Sequence, residues 1–201
     1  MEPSSPNHRC IYSHGESQHG YFTAAQARAC GFDTSDISYH TRTGRFIRVQ
    51  RGIYRLRDYP SFYREHVVIH WIELGTNRAV VSHQSALDLL ELSDVIPAET
   101  HLTVPRAMRY RRNRPDVIVH TTTRELGAQE TTFREGIRIT NPEVTIADAA
   151  EIGVGPEQIE MAVYQALERG ITTERRLRNE AERHSQRVRN LIEQSIGRFT
   201  R

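Results

Sequence analysis

The chain has no lysine. All 27 of its basic residues are arginine. That excludes a phosphate-binding loop closed by lysine, a Schiff-base enzyme and any nuclease site built around lysine. Cysteine is nearly absent too. Cys10 and Cys30 are too few and too unpatterned for a disulfide framework or a zinc module, which makes the cytoplasm the expected compartment. No stretch approaches the roughly 18 apolar residues of a membrane helix, so no membrane partner is expected. The start, MEPSSPNHRC, lacks the apolar run of a secretory signal and reads as a loose tail over 1–10. Net charge is only +2 across 201 residues, so attraction for a polyanion must come from local clustering.

Such a cluster is present. From Ser38 to Pro60 the sequence SYHTRTGRFIRVQRGIYRLRDYP carries Arg42, Arg45, Arg48, Arg51, Arg55 and Arg57, with no acid before Asp58. Upstream, Thr23 and Gln26 have the spacing of a capping box, and Gly31 suits the end of that helix. Asp33 or Thr34 caps a second helix, Asp36 suits its positive end, and Gly44 stops it. Phe46–Gln50 and Ile53–Leu56 alternate in character around Arg51-Gly52, as a hairpin does. The order helix, turn, helix, hairpin predicts a winged helix-turn-helix over 11–59. Its weak point is the front, because Gly15 and Gly20 interrupt IYSHGESQHG.

Projected around its axis, the second helix divides. Ile37, His40, Thr41 and Gly44 form a packing side; Ser35, Ser38, Tyr39 and Arg42 form a polar one. The second helix of such a motif enters the major groove, where arginine reads guanine with two hydrogen bonds. On the hairpin, Ile47, Val49, Tyr54 and Leu56 are expected to pack inward. That leaves Arg48, Gln50, Arg51 and Arg55 to flank double-stranded DNA. With Thr43 and Arg45 these residues make up the expected DNA-binding set.

Pro60-Ser61 marks a boundary, and 60–197 reads as a mixed α/β domain ending in helices, giving an α+β fold class. Ser61 is expected to cap a helix from about Phe62 to Leu74. Strands are expected at Val80-Val81, His101–Val104, Val117–His120 and Ile137–Thr140. Helices follow from Ser82, Pro142, Gly155, Thr172 or Thr173, and Ser185. Between two of the strands lies PRAMRYRRNRP. Its Arg106, Arg109, Arg111, Arg112 and Arg114 surround Tyr110, a second candidate contact for nucleic acid or an acidic protein partner.

Other constellations read as structural. His66 and His70 stand one helical turn apart but lack the glutamate of a zincin. Ser82-His83 has no glycine elbow, and Ser82 reads as a helix cap. Asp148 and Glu151 read as one solvated helix face. No catalytic residue, metal site or cofactor is therefore expected.

With these residues placed, the chain resembles the AbiEi-type antitoxins of bacterial type IV toxin–antitoxin systems. The matching blocks are HGYFTAAQARACGF with YHTRTGRFIRVQRGIYRLRDYP, then AVVSHQSALDLLELSDVIPAETHLTVPR, then GIRITNPEVTIADAAE leading into QIEMAVYQALERGITTERRLR. The resemblance implies a winged-helix domain joined to an antitoxin domain. It further implies repression of the protein's own operon through inverted repeats, suited by a homodimer, and opposition to a nucleotidyltransferase-like toxin. Two alternatives remain: a winged-helix regulator whose second domain senses a ligand, and a nucleic-acid-processing enzyme.

Overall fold

The computed structural model describes residues 6–108 and 115–200. It is an α+β fold in two compact units, the front one running to Asn77 and taking in Glu135–Ile137, the second made of the remainder. The front unit therefore extends past Pro60.

In the front unit the order is α1 (His8–Ser17), β1 (Tyr21–Thr23), α2 (Ala24–Ala29), α3 (Thr34–Arg42), β2 (Phe46–Gln50), β3 (Ile53–Leu56) and α4 (Glu65–Leu74). The first helix is real, and it begins within the stretch expected as tail. Asn7 caps it by accepting from the Cys10 amide at 3.0 Å. The Asn7 amide donates to the Cys30 carbonyl at 2.8 Å, and Cys10 and Cys30 are joined as a disulfide. Two cysteines 20 residues apart carry no local pairing signal. Gly15, which looked like a helix breaker, lies buried inside α1.

The expected capping box forms, and Asp33, one of two expected caps for the next helix, makes a second box with Asp36. Thr23 accepts from the Gln26 amide at 3.0 Å while Gln26 accepts from the Thr23 amide at 2.8 Å. Asp33 and Asp36 make the same exchange at 2.7 and 3.0 Å. Each box satisfies amides that a helix start leaves without partners. The unit's three-stranded sheet has the order β1-β3-β2, antiparallel throughout. Ile11, Phe22, Ala27, Phe32, Ile37, Phe46 and Leu56 make its core. α4 starts at Glu65, three residues later than expected, and no side chain caps it.

The second unit contains β4 (Val80–Val81), α5 (His83–Leu90), β5 (Thr100–Pro105), β6 (Val117–Thr122), β7 (Thr131–Arg134) and all but the first residue of β8 (Ile137–Thr140), followed by α6 (Pro142–Glu151), α7 (Pro156–Glu168), α8 (Glu174–Ala181) and α9 (Gln186–Phe199). The sheet order is β6-β5-β4-β8-β7, mixing parallel and antiparallel neighbours. Apolar residues at helical spacing close the helical layer: Ile159, Ala162, Val163 and Ala166 from α7, and Val188, Ile192 and Ile196 from α9, are buried. Ser82 sits at the cap position of α5, but its hydroxyl makes no capping bond there.

Candidate nucleic-acid interface

The third helix divides along its axis as the projection requires. Ile37 and His40 are buried, with the His40 ring against those of Phe32 and Phe46. Burial holds the His40 imidazole below its ordinary pKa, so this side is neutral as well as apolar. Ser35, Ser38, Tyr39, Arg42 and Thr43 are exposed on the other side. The Arg42 guanidinium lies 6.0 Å from the Tyr39 ring centre, within cation–π reach.

Hydrogen bonding ranks these residues. The Ser38 hydroxyl donates to the Thr34 carbonyl at 2.8 Å, and that of Thr43 to the Tyr39 carbonyl at 3.0 Å. Ser35 donates to Asp33 at 2.6 Å. Their protons are already committed, so these residues offer mainly lone pairs. Bonds from Ser35 and the Asp36 amide hold the Asp33 carboxyl below the usual carboxylate range, fixing a negative charge at the start of the helix. Positive charge therefore lies at the other end, on Arg42 beside the Tyr39 ring and on the following Arg45.

The hairpin departs from expectation. Pairing sets Phe46 opposite Leu56, Ile47 opposite Arg55 and Arg48 opposite Tyr54. Opposed residues share a face. Phe46, Tyr54 and Leu56 thus face the core, and Arg48 continues that row outward past it. Ile47 and Val49 were expected inside; they are 38% and 37% exposed instead. The reason is a one-residue error of phase: the apolar face of β2 starts at Phe46. A bulge between Arg48 and Gln50 then changes the register before the turn.

Two members of the expected DNA-binding set have partners within the front unit. Arg55 lies on the face opposite the core, yet its guanidinium donates to the Tyr59 carbonyl at 2.7 Å, pairs with Glu65 at 3.7 Å and sits 5.9 Å from the Tyr21 ring centre. Gln50 donates to Glu73 on α4 at 3.3 Å. Both residues are half-buried, and these contacts tie the hairpin to the segment that follows it. Arg42, Arg45, Arg48 and Arg51 are exposed, and none has an acidic partner among the described residues. In the second cluster, Arg106 is exposed on a short 3-10 turn, Arg106–Met108. Arg109, Tyr110, Arg111, Arg112 and Arg114 lie outside the described residues.

The second unit holds a cavity of about 270 Å³ lined by His83, His120, Asp148 and His184 among others. Asp148 is not part of a solvated face. Burial pushes its carboxyl up to about 6, and the His184 ring stands 3.8 Å away. His184 itself is raised, chiefly by its 3.3 Å contact with Glu180. Glu180 also receives two bonds from Arg124, at 2.5 and 3.1 Å. Beside this network, the rings of His83 and His120 stack at 3.6 Å, and His101 Nδ1 lies 3.0 Å from His120 Nε2. No local motif announced this group, because its members come from three separate elements.

Residues 16–57 match a family described as "Transcriptional regulator, AbiEi antitoxin", which bears out the resemblance read from the front module. The solved structure of the RV2827C protein from Mycobacterium tuberculosis is similar to the chain, with a TM-score of 0.57 and 13% identity over 96% of this chain and 78% of that one. At such identity the likeness is one of fold alone. Among curated protein sequences, none matches.

Proposed function

We propose, from a front module that matches the AbiEi antitoxin regulators over residues 16–57, that the protein is a DNA-binding antitoxin and repressor of its own operon. The observation that carries this reading is a set of four exposed arginines, Arg42, Arg45, Arg48 and Arg51, without acidic partners among the described residues and running from the end of α3 onto the hairpin. A polyanion supplies the countercharge the protein withholds. Tyr39 and Arg42 read base edges in the major groove, while Arg45, Arg48 and Arg51 hold the phosphates beside it.

A homodimer on inverted repeats follows from two-fold matching of protein and operator. The second unit opposes a nucleotidyltransferase-like toxin in the cytoplasm and breaks no bonds itself. A second reading, a ligand-responsive regulator, is favoured by the polar cavity of that unit.

Fluorescence anisotropy on DNA from upstream of the gene tests the proposal. Neutralising three or four phosphates gives a log–log salt slope of roughly −3 to −4. Failure to bind this DNA at low ionic strength would refute it. Co-expression with the adjacent reading frame, scored as growth, tests the antitoxin role separately.

A further inference from the structure

Three histidines distant in sequence converge in the second unit. His101 lies on β5 and His120 on β6, and the parallel register sets Thr103 opposite His120, so the two histidines are diagonal neighbours on one face. His83 opens α5 and lays its ring on that of His120, with the planes 14° apart. One donor nitrogen from each ring lies within 4.8 Å of the other two. Around a tetrahedral zinc ion, nitrogens bound at about 2.0–2.1 Å stand about 3.4 Å from one another. The His83 and His120 rings now stack with their planes 14° apart, and His101 Nδ1 lies within hydrogen-bond distance of His120 Nε2 at 3.0 Å, so a metal enters as that bond opens and the rings turn until their lone pairs converge.

Neighbouring hydroxyl groups orient the His83 ring. The Ser82 hydroxyl lies 2.9 Å from His83 Nδ1 and accepts from Thr103 at 2.7 Å. With the proton on Nδ1, His83 keeps a lone pair at Nε2; an outer partner of this kind is what sets the tautomer of a ligating imidazole. His83 also has φ of +51°, uncommon for any residue but glycine and of a kind that clusters at functional sites. His83 and His120 open onto the cavity that Asp148 and His184 line.

We propose that His83, His101 and His120 bind one borderline divalent ion of the zinc, cobalt or nickel kind, leaving one coordination position open to the cavity. Imidazole donors favour such ions over magnesium or calcium. Three protein ligands with one open position is the pattern of an exchangeable or reactive site rather than a closed structural one. The inference is independent of the DNA reading.

The test uses full-length, tag-free protein stripped with chelator. Titration with Co²⁺ should give one equivalent bound with visible d–d absorption, and Zn²⁺ should displace it; Mg²⁺ should not. His120→Gln and His101→Ala should each weaken binding at least tenfold. Cys10, His14 and Cys30 form another donor group, in the front unit; a Cys10→Ser, Cys30→Ser variant should bind Co²⁺ as the parent does. Imidazole ¹⁵N spectra of the parent protein provide a test without variants: on Zn²⁺ addition the metal-bound nitrogens of these three rings should shift. Absence of binding, binding that follows the cysteines, or unchanged ¹⁵N resonances at these three histidines would overturn the proposal.

Discussion

Gly15 on α1 and Leu56 on β3 meet without space for another carbon. A Cβ added to Gly15 would stand 2.5 Å from Leu56 Cδ1. Leu56 is only 3% exposed, so its side chain has little freedom to turn away. The glycine that weakens the helix as a sequence thus permits it to pack as a structure. Gly15→Ala gains up to about 1 kcal/mol of helix propensity but overfills a packed core at about 1–3 kcal/mol. The expected outcome is a net loss of about 1 kcal/mol in urea unfolding. Ala at the exposed Gly197, where an added Cβ meets nothing within 4 Å, should be neutral or stabilising.

The Cys10–Cys30 bond closes a loop of 20 residues around α1 and α2. Restricting the unfolded chain over that length contributes about 3 kcal/mol in the loop-entropy account. Reductant, or the Cys10→Ser, Cys30→Ser variant, should therefore lower the stability of the front unit by several degrees in a thermal melt followed by near-ultraviolet dichroism. The second unit should melt unchanged. Coincident loss of both transitions would show that the units do not unfold independently.

The arginines of the hairpin separate into two kinds of experiment. Tyr39→Ala with Arg42→Ala should relax sequence preference, a bidentate base contact being worth about 1–3 kcal/mol of discrimination. Arg48→Ala with Arg51→Ala should weaken binding to every DNA and flatten the salt slope by about 0.9 for each phosphate that is no longer neutralised. Arg55→Ala should leave both affinity and slope nearly unchanged. It removes a bond to the Tyr59 carbonyl and a pair with Glu65, at about 1–2 kcal/mol of stability. Anisotropy and denaturant melts on the same three variants decide the matter. A large loss of DNA affinity from Arg55→Ala in a folded protein would reverse the assignment.

Local signals made the centre of the front module legible. Thr23 with Gln26 and Asp33 with Asp36 satisfy helix-start amides through neighbours three residues away, and the packing side of α3 follows from a repeat of 3.6. The misses share one cause, which is that their explanation lies far along the chain. Gly15 needs Leu56. Arg55 finds Glu65 and the Tyr59 carbonyl, where its composition suggested an external anion. β1 is three residues long and runs straight into a helix cap, so its strand character depends on pairing with β3. The face of the hairpin turned on one residue, because Phe46 and Ile47 are both apolar and only cross-strand register distinguishes them. His83, His101 and His120 are adjacent only once α5, β5 and β6 are assembled.

His184 and Asp148 make the second unit's stability depend on pH. His184 faces Glu180 from α8, and Asp148 and Glu151 from α6, at 3.3, 3.8 and 3.6 Å; Arg124 and Arg183 also bond to Glu180, and His83 lies within electrostatic range. The folded state raises His184 above its ordinary value, so its contribution is complete below about 6.5 and is lost as pH rises through the higher folded value. Burial raises Asp148 to about 6, so folding favours its protonated form, and that contribution fades between about 4 and about 6. Both groups leave the native protein with more bound protons than the unfolded chain. Buried His83, His101 and His120 act in the opposite direction: each is held below its ordinary value, so the unfolded chain binds more protons at these sites and their contribution is lost as pH falls below about 6.5. Unfolding free energy should therefore rise as pH climbs from 4 toward about 6.5 and fall above that as His184 loses its proton. Glu180, held below its usual value by His184 and Arg124 against the opposing effect of burial, acts in the other direction only in more acid solution. Urea melts in chelator at half-unit pH steps should show this rise and fall for the second unit. His184→Gln should flatten the fall above about pH 6.5 and Asp148→Asn should steepen the rise below 6; a profile indifferent to both would mean that these side chains titrate as they do in water.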